Sequence, residues 1–528
     1  MTARDSTSPG VPRHLLPALL VGCLVFLGLN LIPVCIQGRT DSLGNNSDSI
    51  YHYLKILRYR GELAPNPSFD ADVRLPTDQR LYACISWFTD VTGIPLIAVL
   101  QALWLFYSLV FVIGAFFLGF RMTGNVWGGA FLSASGWGFA LAIGGHWGWD
   151  YSPFVPHDLA TSLVPWLILI WVRIRSFVYV FLFMALLGAL TRIYPTTFVH
   201  LAGILLLARM FMEPKKIGVV LAGAIVFGLT VLPLALKWSG RGSIPDDLLP
   251  LFRERFSYLA PNNPGRLFSE FKIYFMQICL AVIAWLIVRR EIPPRGWRHI
   301  RFIAIASVCM AILGQAAVYS TVLAPLFISR ASRFSYIWIF LVQARSFTQP
   351  KRNVLRIIGV CICLISLILR PNLAGPARAV LSGAGIHEAI DRYHYQDTKA
   401  FRDLCRWTTA HFSSTDQFIT PPDDRYLFFR AFSRRPVLIL QKEIGSIHTP
   451  RPGLLGWDEL VRIIKNAYDS RDMDTLRETA IQYDCTGILG PPEWDIEGSV
   501  SFSNEAGWIY RITAPEITEL RGTDVDGE

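Results

Sequence analysis

Three groups of residues in this chain have the types needed for chemistry at a membrane surface. The first is the polar stretch Asn45-Asn46-Ser47-Asp48-Ser49-Ile50-Tyr51-His52-Tyr53, which follows an early apolar run. A carboxylate such as Asp48 can take a proton from an acceptor hydroxyl or hold a divalent cation. Tyr51 and His52 stand next to it as substrate-binding candidates. Asn45, Asn46 and Ser47 are turn formers that can fix its position. Asp48 equally suits the cap of a helix beginning at Ser49. The second group is His146, Asp150, His157 and Asp158. His157 or Asp158 can face Asp48 across an outer cavity and share a metal or orient an acceptor. Their spacing matches no zinc signature, and Asp158 also suits the cap of a helix after Pro156. The third group is basic: Arg192 with Tyr194, and Arg330 with Arg333, each at the edge of an apolar run. Arginine there grips a lipid phosphate bidentately or anchors the helix end by snorkelling. His200 lies inside an apolar run, either as a satisfied bundle histidine or as cavity lining.

The elements that must position these residues are membrane spans. The chain has 528 residues, of which 52% are hydrophobic and 17% charged, with mean hydropathy +0.37. A soluble chain carries roughly a quarter charged residues. The apolar excess falls into blocks near the ~20 residues that cross a bilayer, about eleven in all. We place them at 15–36, 94–120, 126–144, 159–172, 177–190, 197–212, 217–236, 273–288, 302–319, 334–342 and 354–369, the first as an uncleaved span. The net charge of +10 does not point to nucleic acid. The basic residues concentrate in alternate short loops, as Arg173 and Arg175, Lys215 and Lys216, Arg289 and Arg290, and Lys351 and Arg352 do. Placing those loops in the cytoplasm puts the N-terminus inside and the tail outside the inner (plasma) membrane.

This gives an α-helical polytopic membrane domain over 1–370, with a long first outer loop at 38–93, and a soluble extracytoplasmic α/β domain over 371–528. In the loop, 49–60 reads as a helix with Tyr51, Tyr53, Leu54 and Leu57 on its apolar face, and 80–88 as an amphipathic helix lying on the membrane. In the tail we expect helices at 398–412, 457–468 and 475–483, strands at 417–420, 436–440 and 485–489, and a closing hairpin of 500–503 with 508–512. The arginines of Phe429-Arg430-Ala431-Phe432-Ser433-Arg434-Arg435 can meet a glycan or lipid headgroups, or form a solvated edge paired with Asp423 and Asp424. Of the nine cysteines, Cys405 and Cys485 are those of the tail; they are either a disulfide or two buried thiols.

In these features the chain resembles the family C (GT-C) glycosyltransferases, multi-span enzymes that take sugars from polyprenyl-phosphate carriers on the outer side. The resemblance rests on Asp48 with Tyr51-His52-Tyr53 after the first span, on Gly61-Glu62-Leu63-Ala64-Pro65, on Arg80–Thr92 leading into Ile94-Pro95, on Asp150 and Asp158, and on the external tail. It departs from the family pattern in having Asp48-Ser49 where an Asp-Glu pair is common, and no Asp-x-Asp in the second loop. The resemblance implies an inverting transfer from a polyprenyl-phosphate-linked sugar to a glycan or protein acceptor. Asp48 would be the base, Asp150 or Asp158 the second acid, and Arg330 the ligand of the carrier phosphate. A divalent metal held by Asp48, His157 and Asp158 is the candidate cofactor. Two rival classes are a lipid-linked glycan transporter or flippase, which calls for charges deep in spans and internal symmetry, and a non-catalytic membrane assembly protein whose tail binds a partner.

Overall fold

The structure, a computed structural model, describes residues 47–63, 79–136, 140–142, 145–147, 155–239, 244, 246, 248–255, 264–289, 294–321, 323–348, 353–368, 399–423, 426–439, 454–494 and 500–512. The expected first span and the 370/371 boundary lie outside these residues.

The first loop holds α1 (Ser47–Tyr59) and α2 (Arg80–Thr92). The bundle follows as α3 (Leu96–Thr123), α4 (Val126–Ala134), a hairpin of β1 (Ala140–Ala142) and β2 (Gly145–Trp147), α5 (Pro156–Trp171), α6 (Phe177–Leu190), α7 (Pro195–Met212), α8 (Ile217–Ser239), α9 (Leu249–Arg255), α10 (Pro264–Val288), α11 (Pro294–Ala317), a 3-10 segment (Ile328–Ser335), α12 (Tyr336–Thr348) and α13 (Asn353–Ile368). Five described helices, those spanning Leu96–Thr123, Pro195–Met212, Pro214–Leu236, Phe271–Val288 and Gly296–Ala317, are long and apolar enough to cross a bilayer, and the chain is a multi-pass membrane protein. The run at 126–144 differs from the expected span. It is a nine-residue helix followed by a hairpin, because apolar composition alone does not separate a span from a short packed helix.

Close backbone approach shapes the bundle. A Cβ at Gly119 would stand 2.7 Å from the Gly128 carbonyl oxygen, so glycine lets α3 and α4 pack at contact distance. At one end of the bundle, helix C-termini are closed by basic and aromatic donors. Trp297 Nε1 and Arg345 Nη1 donate to the Met122 carbonyl, and Arg298 Nη2 donates to that of Met212. These satisfy carbonyls left open in the last turns of α3 and α7 and complement the negative end of each helix.

The tail comprises α14 (Lys399–His411), β3 (Phe418–Ile419), α15 (Tyr426–Ser433), α16 (Leu454–Ser470), α17 (Met473–Gln482), β4 (Gly487–Gly490), β5 (Val500–Asn504) and β6 (Gly507–Arg511). Its sheet runs β3-β4-β6-β5, with β3 and β4 parallel and the other pairs antiparallel. The expected strand at 436–440 is reduced to a bridge from Val437 to Phe418, and α15 was not expected. Cys405 and Cys485 are buried free thiols.

Strand alternation turns this sheet into a connector. Side chains alternate between faces with period two. Ile419, Ile488, Trp508 and Tyr510 share a core with Leu248, Leu251, Val318 and Phe327 of the loops between spans. Phe418, Leu489 and Ile509 share another with Ile50, Tyr53 and Leu54 of α1, Tyr82 and Ile85 of α2, and Val99 and Leu100 of α3. The tail therefore packs against the first loop on one face and the later loops on the other. A salt bridge from Arg434 to Glu62 (2.8 Å) and one from Arg60 to Asp90 (2.8 Å) tie α15, α1 and α2 together at their edges.

Candidate functional site

The candidate site forms where α5, α7 and the 3-10 segment begin or turn. Pro156 sits in the first turn of α5 after the extended Val155, where proline's fixed φ favours helix entry. This places His157 and Asp158 in the first turn, and Asp158 gains from the positive end of the helix. Pro195 starts α7 in the same way after the extended Tyr194, with Thr197 in its first turn and His200 three residues on, on the same face. The 3-10 segment carries Arg330 and Arg333. It lies hard against α11, where a Cβ at Gly314 would be 2.2 Å from the Ser329 nitrogen. Ser329, Ser332 and Ser335 are buried, small enough to permit that approach.

These elements bring six of the expected residues together. His157 Nε2 lies 2.9 Å from Asp158 Oδ1, and the Asp158 side chain is fully buried. The His157 ring is 5.8 Å from that of Tyr194. Arg333, 3% exposed, donates from Nη2 to Thr197 Oγ1 at 2.7 Å. Burial pulls its guanidinium down to about 10, the charges of Tyr194 and Asp158 oppose that and Arg330 adds to it; the group stays cationic at neutral pH. Its Nε has no hydrogen-bond partner among the described residues. Arg330 is half-buried, with its guanidinium 4.4 Å from the centre of the Phe327 ring. His200 donates from Nε2 to the Leu326 carbonyl at 2.9 Å, in the field of both arginines. Tyr107 of α3 lies in the field of Asp158.

Two arginines against one carboxylate leave the described cluster with an excess of positive charge. Such a site suits a phosphate, which two guanidinium groups can hold through paired charge-assisted hydrogen bonds. The His157–Asp158 pair beside it can orient a hydroxyl or carry a proton.

The other expected residues lie elsewhere. Arg192 is exposed in the turn between α6 and α7. Tyr51 and His52 are half-buried on α1. His52 Nδ1 is hydrogen bonded to the Tyr82 hydroxyl at 2.6 Å, and Lys55 Nζ lies 4.2 Å from the centre of the Tyr51 ring. Asp48 is the second residue of α1, so the helix starts before it, at Ser47; its side chain is outside the described residues. Asp150 is outside them altogether. The backbone of His146 lies in β2, in the hairpin packed against the 3-10 segment; its side chain is not described. Among the described residues no group of three or more His, Cys, Asp or Glu side chains is placed to hold a metal.

Sequence reasoning missed Thr197, Tyr107 and Phe327. Thr197 and Tyr107 carry no signal of their own, being a hydroxyl and a phenol within apolar runs. The tail arginines are structural. Arg435 Nη2 donates to the Thr409 and Phe412 carbonyls at the end of α14, Arg430 is fully buried, and Arg434 pairs with Glu62.

No family model matches this chain, and no curated protein matches it. Solved structures do. The crystal structure of the Archaeoglobus fulgidus oligosaccharyltransferase in its apo form aligns over 91% of this chain and 70% of that one, at 12% identity and TM-score 0.50. The archaeal oligosaccharyltransferase from the same organism in complex with an inhibitory peptide and a dolichol-phosphate covers 91% and 70%, at 11% identity and TM-score 0.46. Its complex with Zn and sulfate covers 90% and 68%, at 11% identity and TM-score 0.46. The first of these likenesses, running across the spans and the tail together, shows that this chain has the fold of a GT-C type glycosyltransferase.

Proposed function

We propose that this chain is a glycosyltransferase of the inner (plasma) membrane that moves a sugar from a polyprenyl-phosphate carrier to a glycan or protein acceptor outside the cytoplasm. The observation that carries this reading is the buried Arg333, held by Thr197 beside Arg330 and facing the field of Asp158. A cation taken this far from water is costly unless an anion joins it. A carrier phosphate arriving from the bilayer supplies one. The basic loops at the other ends of the helices support an outer placement of the cluster.

In this mechanism Arg330 and Arg333 hold the carrier phosphate. The acceptor hydroxyl oxygen attacks the anomeric carbon from the face opposite the phosphate, so configuration inverts. The bond from carbon to phosphate oxygen breaks, the electron pair leaves with the phosphate, and the hydroxyl proton passes to a carboxylate. Asp48 is that base, with Asp158 or Asp150 as the second acid. Its placement is supported by α3. Val99 and Leu100 share a core with α1, and Tyr107, in the field of Asp158, lies about 10 Å further along the helix by its 1.5 Å rise per residue. The arginines accelerate transfer to the extent that they bind the leaving phosphate more tightly as its charge grows. A divalent metal would be held by His157 and Asp158 with Asp48, and would supply positive charge that orients the acceptor hydroxyl.

The test is transfer of label from a panel of polyprenyl-phosphate sugars in membranes containing wild type, Asp48→Asn or Arg333→Gln. The reading expects release by the wild type that both variants lose while still inserting and folding. Release by all three would remove both residues from the mechanism. Binding of the carrier without release from any donor would favour a transporter.

A further inference from the structure

Phe327 is the point at which the tail and the arginine site meet. Its ring, 8% exposed, belongs to the core shared by the outer loops and the tail sheet, with Ile419, Leu438 and Trp457. Its backbone is left-handed, with φ 48 and ψ 43, a conformation that costs a bulky residue free energy and needs surrounding structure to hold it. The same residue touches the site in two ways, and its neighbour Leu326 in a third. Its ring lies under the Arg330 guanidinium at 4.4 Å. Its carbonyl accepts from the Arg330 amide at 2.9 Å. The carbonyl just before it, Leu326, accepts from His200.

We propose that Phe327 is a positioning residue through which the packed tail sets the direction of Arg330 toward an anionic lipid phosphate. The ring supplies a flat, electron-rich face to the guanidinium and turns it in a fixed direction. The tail core fixes the ring, and the left-handed turn aims it. An undocked tail leaves Phe327 without its core, and Arg330 then loses the face that orients it. The tail thus does more than cover the bundle: its folding on the outer loops completes the phosphate site. This inference rests on the donor reading proposed above.

The experiment measures binding of a polyprenyl phosphate to full-length protein in nanodiscs, with thermal unfolding in parallel, for wild type, Phe327→Leu, Phe327→Met and Phe327→Tyr. Leucine and methionine keep an apolar side chain in the core and remove the aromatic face. Tyrosine keeps the face. The expected result is a Kd raised by about 3- to 30-fold for the first two, the range spanned by cation–π contacts from exposed to desolvated, with tyrosine restoring near wild-type affinity. In transfer assays the same two variants raise KM for the donor and change kcat little. Two well-folded aliphatic variants that bind as wild type does would overturn the inference and leave the donor reading standing. A tyrosine variant as weak as leucine would also overturn it, since the aromatic face would then not be the cause. A wild type without affinity for polyprenyl phosphate would overturn both.

Discussion

The segments Ser329-Arg330-Ala331-Ser332-Arg333-Phe334 and Phe429-Arg430-Ala431-Phe432-Ser433-Arg434-Arg435 look alike as sequence, and the fold uses them in opposite ways. In the tail, the arginines are consumed by structure. Arg435 closes two carbonyls at 2.8 and 2.7 Å, and Arg434 meets the Glu62 carboxylate. In the bundle, Arg333 is as buried but donates a side-chain hydrogen bond to a threonine, and Arg330 rests on an aromatic ring. The difference lies in what the neighbouring elements offer. A helix C-terminus presents open carbonyls, and Arg435 Nη2 donates to two of them while its Nε, like that of Arg333, has no partner among the described residues. Helix N-termini, which surround Arg333, present amides and leave it as a cation seeking an anion. On the reading proposed above, a buried arginine becomes a binding group where the backbone around it offers too few acceptors.

Substitutions can break this contrast. The largest effect falls on Arg333→Gln. Charge-assisted hydrogen bonds contribute about 1.5–3 kcal/mol, so affinity for a polyprenyl phosphate drops roughly 10- to 150-fold, while the unfolding midpoint does not fall, since a desolvated charge has been removed. Isothermal titration and thermal melts on the same preparation check both halves. A melt lowered by several degrees with binding intact would make Arg333 structural, like its counterparts in the tail.

Gly314→Ala tests the geometry with the charges untouched. The added Cβ, at 2.2 Å from the Ser329 nitrogen, must push the 3-10 segment off α11, at about 1–3 kcal/mol for overpacking. Weaker phosphate binding with both arginines present is the expected outcome, read by the same titration. Affinity equal to wild type would show that the segment can shift without harm to the site.

Arg435→Gln should do the reverse of Arg333→Gln. Leaving buried carbonyls at the end of α14 without a donor costs about 1–3 kcal/mol of stability, and the folded protein binds the phosphate as wild type does. Denaturant unfolding with a binding control decides it.

The smallest effect is a pH dependence at the edge of the tail. Burial pulls the Glu62 carboxyl up, but hydrogen bonds and charge from Arg434 and Arg60 outweigh it and hold the group below the ordinary carboxylate value. A lowered folded pKa contributes stability that is complete above the unfolded value, about 4.3, and is lost as pH falls through the folded one. The pair is exposed, so its contribution is about 0–1 kcal/mol. Glu62→Gln should therefore melt slightly below wild type at pH 7, and the gap should close as pH falls through the lowered folded value. A gap that persists in acid would mean Glu62 acts through packing.

Much of the frame was legible in the sequence. The helix Phe177–Leu190 falls where its apolar run begins and ends, and α3, α7 and α8 fall within a few residues of their runs, because twenty apolar residues leave a helix few alternatives in a bilayer. The closing hairpin of the tail followed from alternation around Asn504-Glu505-Ala506-Gly507. Where neighbours decide the outcome, the sequence was mute. The run at 126–144 forms a short helix that packs on α3 through Gly128 and Gly129, followed by a hairpin. The candidate cluster was legible as residue types at helix ends: Asp158 after Pro156, Tyr194 before Pro195, Arg330 and Arg333 before an apolar run. Its pairing was not, since Arg333 and Thr197 stand 136 residues apart and a threonine inside a span announces nothing. Nor did local pattern separate the arginines of the 3-10 segment from those of the tail, because that difference is made by which end of a neighbouring helix they meet.

The arginines of the bundle, and not those of the tail, are proposed to bind a lipid phosphate. The most direct test is the Kd of a polyprenyl phosphate for full-length wild type, Arg333→Gln and Arg435→Gln in nanodiscs. Binding at least about tenfold weaker is expected for Arg333→Gln, and wild-type affinity for Arg435→Gln. Equal affinity in all three, or a loss confined to Arg435→Gln, would contradict it.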